Sequence, residues 1–384
     1  ATGGELVLNG DFSAGVEGVT GGDFERGLIG TVTNVGTPAA VYTWALNTIS
    51  PISGTQDGKF AVTTLGSEGA YPRLKFDGGL ALDKSYVLTF DYKVNSGTCY
   101  IPSINRGGGS SQGVSSTLSG SGTYTYYFQG FGTGDLTLNF KGTQVFEVQL
   151  DNVSIKELGE DWTTVDAGVD TYDENGLTIT SLTGVYNRVY QSSVTEDGKS
   201  YKVTYSIYAT SYSAGTQIKY YDGSVYVNLP EQGVGTHTFY YTRLGYIDNW
   251  YFNLESSTSG STTDTVTISS ISVEELGEGW NVSNEDRAAG YYVDFIATGA
   301  HFVVPAYSPI TTLSTSSLTL LSGTTYKVVV DMTQVSGGLK WDIGGLDETF
   351  DETTLGTNNT RYVTPTSNIA FSLYRDVAPV DITL

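Results

Sequence analysis

The sequence predicts an all-β chain of three tandem antiparallel β-sandwiches, and three observations predict it. A domain-closing string recurs, a strand motif appears three times in the same order, and apolar residues alternate with polar ones between turn residues. Residues 148–162, ending Glu157-Leu158-Gly159-Glu160-Asp161-Trp162, return as residues 266–280, ending Glu275-Leu276-Gly277-Glu278-Gly279-Trp280. Lys84-Ser85-Tyr86-Val87-Leu88 matches Lys199-Ser200-Tyr201-Lys202-Val203 and, more loosely, Thr324-Thr325-Tyr326-Lys327-Val328. Self-similarity at a long fixed spacing means similar folding units in series, which places the units at 1–158, 159–276 and 277–384.

In the first unit, Tyr86, Leu88, Phe90, Tyr92 and Val94 share one face by the period of two, the pattern of a strand covered on one side. Arg106-Gly107-Gly108-Gly109-Ser110-Ser111-Gln112-Gly113 is expected to be a surface loop. Gly122 to Phe128 and Leu136 to Phe140 follow as strands, with Tyr124, Tyr126 and Phe128 expected in the core. The second unit repeats this plan. Glu174-Asn175-Gly176, Asp197-Gly198 and Tyr221-Asp222-Gly223 supply its turns, and Tyr201, Val203, Tyr205 and Ile207 its core face. In the third unit Gly356 to Tyr362 and Ile369 to Leu373 match Gly235 to Tyr241 and Trp250 to Leu254. Val380 to Leu384 aligns with Val266 to Ser270, so the third unit is expected to stop inside or just after its closing strand, with more chain in the gene. The junctions Leu158-Gly159-Glu160 and Leu276-Gly277-Glu278 are too short for floppy tethers and predict a restricted orientation between neighbours.

Composition excludes several function classes. Nineteen Lys+Arg stand against 41 Asp+Glu, a net charge of −22 that repels phosphate backbones and anionic membranes, so neither nucleic acid nor membrane insertion is expected. One cysteine, Cys99, rules out an intramolecular disulfide framework and Cys-based zinc. Two histidines, His237 and His301, sit in unrelated contexts and leave a serine nucleophile without its base. Gly198-Lys199-Ser200 precedes a strand rather than a helix and lacks the upstream glycine of a phosphate loop. The chain is expected not to be an enzyme.

The first unit resembles jelly-roll carbohydrate-binding modules and their galactose-binding-like relatives, over roughly residues 5–158. The residues that carry this are Leu6-Val7-Leu8-Asn9-Gly10-Asp11-Phe12, Gly58 to Val62, Leu74-Lys75-Phe76, Lys84 to Tyr92, and Leu150-Asp151-Asn152-Val153-Ser154-Ile155. The closing string through Trp162 resembles repeated modules in virion proteins of tailed phages. These resemblances imply a structural virion component, a capsid decoration or fibre part, whose partners are other virion proteins, copies of itself and surface glycans. An ancillary sugar-binding region of a secreted polysaccharide-degrading enzyme and a bacterial surface fibre or adhesin remain as alternatives, with a secreted or cell-surface location. The resemblance also implies a structural calcium between Asp11 and Asp151, although Ser13 stands where an acidic residue is usual and Ser269-Ser270 replaces the pair in the second unit. Sugar binding on such folds stacks exposed aromatic rings on pyranose faces, which selects Tyr71, Arg73 and Tyr100 as candidates.

Overall fold

The computed structural model describes residues 2–5, 31–35, 41–47, 49, 51–54, 57–64, 71–108, 111–165, 169–181, 186–245, 249–256, 263–287, 289–305, 311–332, 334–342, 347–349 and 356–384. The described residues contain strands and turns and no helix. After β1 (Thr2–Glu5), the first unit runs β2 (Thr31–Val35), β3 (Val41–Asn47), β4 (Asp57–Thr64), β5 (Tyr71–Leu80), β6 (Ser85–Ser96), β7 (Cys99–Arg106), β8 (Ser111–Leu118), β9 (Ser121–Gln129), β10 (Gly134–Asn139) and β11 (Phe146–Leu158). The second runs β12 (Thr163–Val165), β13 (Val169–Asp173), β14 (Gly176–Ser181), β15 (Tyr186–Gln191), β16 (Ser200–Ser211), β17 (Gln217–Tyr221), β18 (Tyr226–Asn228), β19 (Gly235–Thr242), β20 (Trp250–Glu255) and β21 (Asp264–Leu276). The third runs β22 (Trp280–Ser283), β23 (Tyr292–Ile296), β24 (Gly299–Val304), β25 (Thr312–Leu320), β26 (Tyr326–Met332), β27 (Gln334–Asp342), β28 (Asp347–Thr349), β29 (Gly356–Val363) and β30 (Ile369–Thr383).

Strand order makes the repeat explicit. The first unit pairs β3-β4-β11-β6-β9 in one sheet and β2-β5-β10-β7-β8 in the other, and the second pairs β13-β14-β21-β16-β19 and β12-β15-β20-β17-β18. Among the described residues, the ten strands of the first unit and the ten of the second therefore visit their two sheets in the same sequence, all antiparallel, which is a jelly-roll sandwich. In the third unit β30 takes the place of two strands. Its first half pairs β25 and β27 as β20 pairs β15 and β17, and its end pairs β24 as β21 pairs β14. The chain is a tandem of β-sandwiches.

Each sandwich encloses an apolar core: Phe60, Phe76, Leu88, Phe90 and Leu150 in the first, Val203, Tyr205, Trp250, Phe252 and Ile268 in the second, and Phe302, Leu313, Leu339 and Ile382 in the third. Tyr124 and Phe128 are buried as expected, and Tyr126 stacks on both. Cys99 is fully buried among apolar residues, which pushes its thiol far up and leaves it an inert packing group.

The thrice-repeated tyrosine has one job in every unit. Its hydroxyl accepts the backbone N–H five residues earlier: Ala81 to Tyr86 at 2.9 Å, Glu196 to Tyr201 at 2.7 Å and Leu321 to Tyr326 at 2.8 Å. A turn that leaves the sheet is thereby tied to the strand it enters, satisfying a donor that the turn orphans.

The junctions repeat as well. Gly159 and Gly277 adopt φ of +66° and +72°, and a Cβ on either would fall inside the ring of Tyr172 or Phe295 from the following unit. Beside them, Lys84 pairs with Glu157 at 2.7 Å and Lys199 with Glu275 at 2.9 Å. Neighbouring units thus meet through side chains set by the repeated strings.

Three details differ from the sequence reading. Ser111, Gln112 and Gly113 belong to β8, paired with Asn105, Ile104 and Ser103, so the glycine loop is shorter than its composition suggests. β1 pairs with β21 of the second unit, through Thr2↔Leu276 and Glu5↔Glu274. The third closing strand is also out of step by two residues. Leu384 exchanges backbone hydrogen bonds with Ala300, and Phe302 faces Ile382 as Ile179 faces Val266, so Leu384 corresponds to Ile268 and not to Ser270. Thr/Ser-rich alternating text aligns equally well at shifts of two, because the face is preserved. The opening string Leu6 to Phe12 lies outside the described residues.

Candidate carbohydrate-binding face

In the second unit Val189, Ile218, Phe252 and Leu254 point into the core, so the intervening residues of the same strands form the sheet's outer face. Register then lays out that face in rows. Tyr190 faces Tyr251, and Tyr221 faces Tyr226; Tyr220 opposite Phe252 sets Tyr221 beside Tyr251. Four tyrosines from four strands therefore form one row. Their ring centroids are 5.1 Å apart for Tyr190–Tyr251, 5.6 Å for Tyr221–Tyr251 and 5.0 Å for Tyr221–Tyr226. The next row holds Arg188, Asn253, Lys219 and Asn228, and the one beyond it Tyr186, Glu255 and Gln217.

The polar row is held in place by its neighbours. Arg188 donates from Nη1 to the Tyr226 hydroxyl at 3.0 Å, and its guanidinium carbon lies 4.9 Å from the exposed Tyr186 ring. This reach passes over Asn253, which is buried despite facing outward. Among the described residues no donor meets Asn253 Oδ1. Lys219 Nζ meets Glu255 at 2.5 Å. Burial raises the Tyr226 phenol and the Arg188 hydrogen bond opposes it, so the ring keeps its proton at neutral pH and remains a donor.

The first unit carries a reduced version. Arg73 faces Asn139 as Arg188 faces Asn253, and Asn139 Nδ2 donates to Ser103 Oγ at 2.6 Å while its Oδ1 has no donor among the described residues. In the third unit the equivalent positions are Ser314 and Ser372, so the Arg–Asn pair is confined to the first two.

Two of the three sequence-selected residues, Arg73 and Tyr100, fall on this reduced face. Arg73 on β5 and Tyr100 on β7 flank β10, Arg73 opposite Asn139 and Tyr100 opposite Lys141, with Tyr100 half-buried. Tyr71 opens β5, and its side chain lies outside the described residues. The tyrosine row of the second unit was missed because a row runs across strands. Its members are scattered over residues 190–251, and only register aligns them. The usable signal was outward aromatic residues at alternating positions, as in Tyr186-Asn187-Arg188-Val189-Tyr190.

Of the metal pair, Asp11 lies outside the described residues. Asp151 is buried, and its Oδ2 accepts from Ser53 N at 3.1 Å and Ser53 Oγ at 2.5 Å, its Oδ1 from Asn152 N at 2.9 Å. Buried Asp57 is a second carboxylate near enough for its charge to act on Asp151. Two hard oxygen donors suit calcium, yet protein hydrogen bonds already engage both. The second unit buries a different acid, Asp264 at the start of β21, bound by Ser213 N at 2.8 Å, Thr216 Oγ1 at 2.9 Å and Ser256 Oγ. Register matches Asp151 to Ser269, as the sequence alignment has it: Leu150 faces Tyr92 as Ile268 faces Ile207, so Asp264 is not its counterpart.

Both histidines are engaged by partners in their own units. His237 Nε2 bonds the Gly233 carbonyl at 2.8 Å, and His301 Nε2 meets Asp381 at 2.7 Å. Among the described residues neither ring touches a Ser or Thr hydroxyl.

No protein-family model and no curated protein matches the chain. Among solved structures, the tandem CBM22 domains of Paenibacillus barcinonensis Xyn10C are similar at 12% identity over 68% of this chain and 97% of theirs, with a TM-score of 0.30. The enzymatically active domain of bacteriophage CBA120 tailspike protein 4 is similar at 16% identity over 37% of this chain and 21% of that one, TM-score 0.29. The structure of Sulfolobus Turreted Icosahedral Virus is similar at 14% identity over 89% and 91%, TM-score 0.19. All three scores are low, and the fold rests on the strand order described above.

Proposed function

We propose that this chain is a non-enzymatic structural protein that adheres to glycans through the outer sheet face of its second unit, supported by the weaker face of its first. The observation that carries the reading is the tyrosine row Tyr190–Tyr251–Tyr221–Tyr226 beside Arg188 and Asn253. A flat row of rings offers apolar faces to pyranose C–H groups, and the adjoining polar row offers hydrogen bonds to hydroxyls. Lys219 is neutralised by Glu255 and the chain carries a net charge of −22, so neutral sugars suit the face better than uronates. A hydroxyl that displaces the Arg188–Tyr226 contact gains the open acceptor Asn253 Oδ1.

We place such a protein in a tailed-phage virion, as a capsid decoration or fibre component in contact with other virion proteins and copies of itself. Many weak contacts displayed together would supply avidity. The reading needs no cofactor. A structural calcium shared by Asp11 and Asp151 belongs to it as an addition, and its signature is a rise in the first unit's melting temperature when calcium is returned to chelated protein, abolished by Asp11→Asn.

A neutral-glycan array on the whole chain tests the adhesive part. Binding is expected, with Tyr251→Ala and Arg188→Ala weakening it about tenfold or more, since one stacked ring contributes ~1–3 kcal/mol by analogy with other aromatic platforms. Tyr100→Ala is expected to have the smaller effect. An array silent at millimolar sugar would remove adhesion and leave the scaffold role. Discovery of a catalytic domain in the flanking gene sequence would favour the ancillary region of a polysaccharide-degrading enzyme instead.

A further inference from the structure

Arg243 is fully buried, the only cationic side chain to be so among the described residues. It sits where the chain leaves β19 for β20, and its backbone is fixed there by Arg243 N to the Lys199 carbonyl at 2.9 Å and Gly198 N to the Arg243 carbonyl at 3.0 Å. One edge of the guanidinium is satisfied, since Nη1 donates to the Asn249 carbonyl at 3.0 Å. The other edge is not. Among the described residues no acceptor meets Nε or Nη2, and the indole Nε1 of Trp250, also fully buried, meets none either. A guanidinium keeps its charge at any pH the fold survives, and a buried charge is costly unless an opposite one joins it.

The local acid is turned to other work. Asp222, whose carbonyl accepts the Leu244 N–H, caps its own turn by accepting the N–H groups of Ser224 and Val225 on Oδ1 at 2.7 and 2.8 Å. A glycine keeps the unmet edge clear. Gly223 has a φ of +106°, and a Cβ on it would stand 2.9 Å from Arg243 Nε and 2.8 Å from the Gly245 amide nitrogen. The first unit builds the same corner more openly. There a Cβ on Gly107 would run into the Gly132 carbonyl, as one on Gly245 would run into that of Gly223. Its arginine comes from a different strand: Arg106 on β7 donates from Nη1 to the Gln129 carbonyl at 3.0 Å and is only half-buried, within reach of water.

We propose that Arg243 is the cation of an internal site in the second unit for one small planar oxyanion of the carboxylate class, formate-sized, held bidentately by Nε and Nη2. Two parallel N–H groups on one guanidinium edge match the two oxygens of such an ion. Complete burial of the arginine restricts the ligand to an ion small enough to enter when the neighbouring loops part. The site borders the tyrosine row, because the Tyr221 ring lies 5.8 Å from the guanidinium carbon and Asn249 Nδ2 donates to the Tyr251 hydroxyl at 2.9 Å. It does not depend on glycan adhesion.

The test melts the whole chain in sodium formate, sodium chloride and sodium gluconate at equal ionic strength. Gluconate carries the same carboxylate on a body too large to enter. Formate is expected to raise the transition of the second unit saturably, by roughly 5–10 °C at a hundredfold excess over half-saturation, with chloride weaker and gluconate without effect. Amide exchange at Gly198 and Arg243 should slow in formate while the first unit is unchanged. Arg243→Lys keeps the charge and loses the fork, so it should cancel the advantage of formate over chloride. Arg243→Met should remove the response altogether. Equal transitions in formate and gluconate overturn the proposal, as does an advantage of formate over chloride that survives in Arg243→Lys or a chloride response larger than that of formate.

Discussion

The backbone N–H of Phe295 donates to the hydroxyl of Ser200 at 3.1 Å, so β23 of the third unit is tied to the opening of β16 in the second. Ser200 Oγ lies 2.9 Å from Thr242 Oγ1, which in turn donates to Asp294 at 2.7 Å, and Asp294 pairs with Arg287 at 2.7 Å. With Thr242 committed as a donor to the carboxylate, Ser200 must donate to Thr242 while accepting from Phe295. The hydroxyls thus run in one direction across the junction. The same serine position in the first unit, Ser85, accepts the N–H of Tyr172 at 3.1 Å. A serine that the motif repeats for no reason visible inside its own unit is explained by its neighbour.

Ser200→Ala is expected to cost about 1–2 kcal/mol, because it breaks the relay and leaves a part-buried N–H without its acceptor. The loss should be local. Hydrogen exchange at Phe295 should accelerate while the cores of the first and second units keep their protection. Equal acceleration throughout the second unit would show that the serine supports its own fold and not the junction.

Gly277→Ala should be worse than Ser200→Ala. An alanine at a left-handed φ costs about 1–2 kcal/mol by itself, and its methyl group would also occupy the place of the Phe295 ring. The expected result is a separate, lower melting transition for the third unit in calorimetry. Gly120→Ala, also at positive φ but with nothing within 4 Å, is the control that carries the backbone cost alone.

Tyr201→Phe tests the strand-to-turn tie. It removes the acceptor of the Glu196 N–H without removing the ring, so a loss of about 1–2 kcal/mol is expected in urea unfolding of the second unit. Tyr326→Phe should cost less, since its hydroxyl serves an exposed N–H that water can take over. If both cost the same, burial is not what sets the effect.

Much of the fold was legible because its signals are local. Alternation gave the faces of β6 and β16, and the repeated closing string announced the second sandwich from the first. What stayed hidden depends on register. The row from Tyr190 to Tyr226, the two-residue offset of Leu384 and the pairing of β1 with β21 are relations between strands distant in sequence. A period of two leaves a strand's face unchanged when it slides by two, so sequence alone sees the face and not the step. The site residues suffered most, because a binding surface on a sheet is written across strands.

Two buried acids at different places in the fold, Asp151 and Asp264, give the first two units opposite responses to acid. For Asp264, burial pushes the carboxyl up, but hydrogen bonds from Ser256, Ser213 and Thr216 outweigh it and hold the group below its ordinary value of 3.8. The unfolded chain then binds more protons between the two values, so this stabilisation is complete above the ordinary value and is lost as pH falls through the folded one. For Asp151, burial dominates, the Ser53 and Asn152 bonds oppose it incompletely, and the charge of Asp57 adds to the rise above 3.8. Here the folded state holds the extra proton, so acidification from the raised value down to 3.8 increases stability. On descending from neutral pH, the first unit is expected to gain through Asp151 before the second loses through Asp264. Residue-resolved hydrogen exchange over this range reads the two units separately. Asp151→Asn should flatten the first response, and Asp264→Asn should destabilise the second unit at neutral pH while removing its acid loss. Parallel loss in both units from neutral pH downward would show that the buried hydrogen bonds to Asp151 outweigh its burial after all.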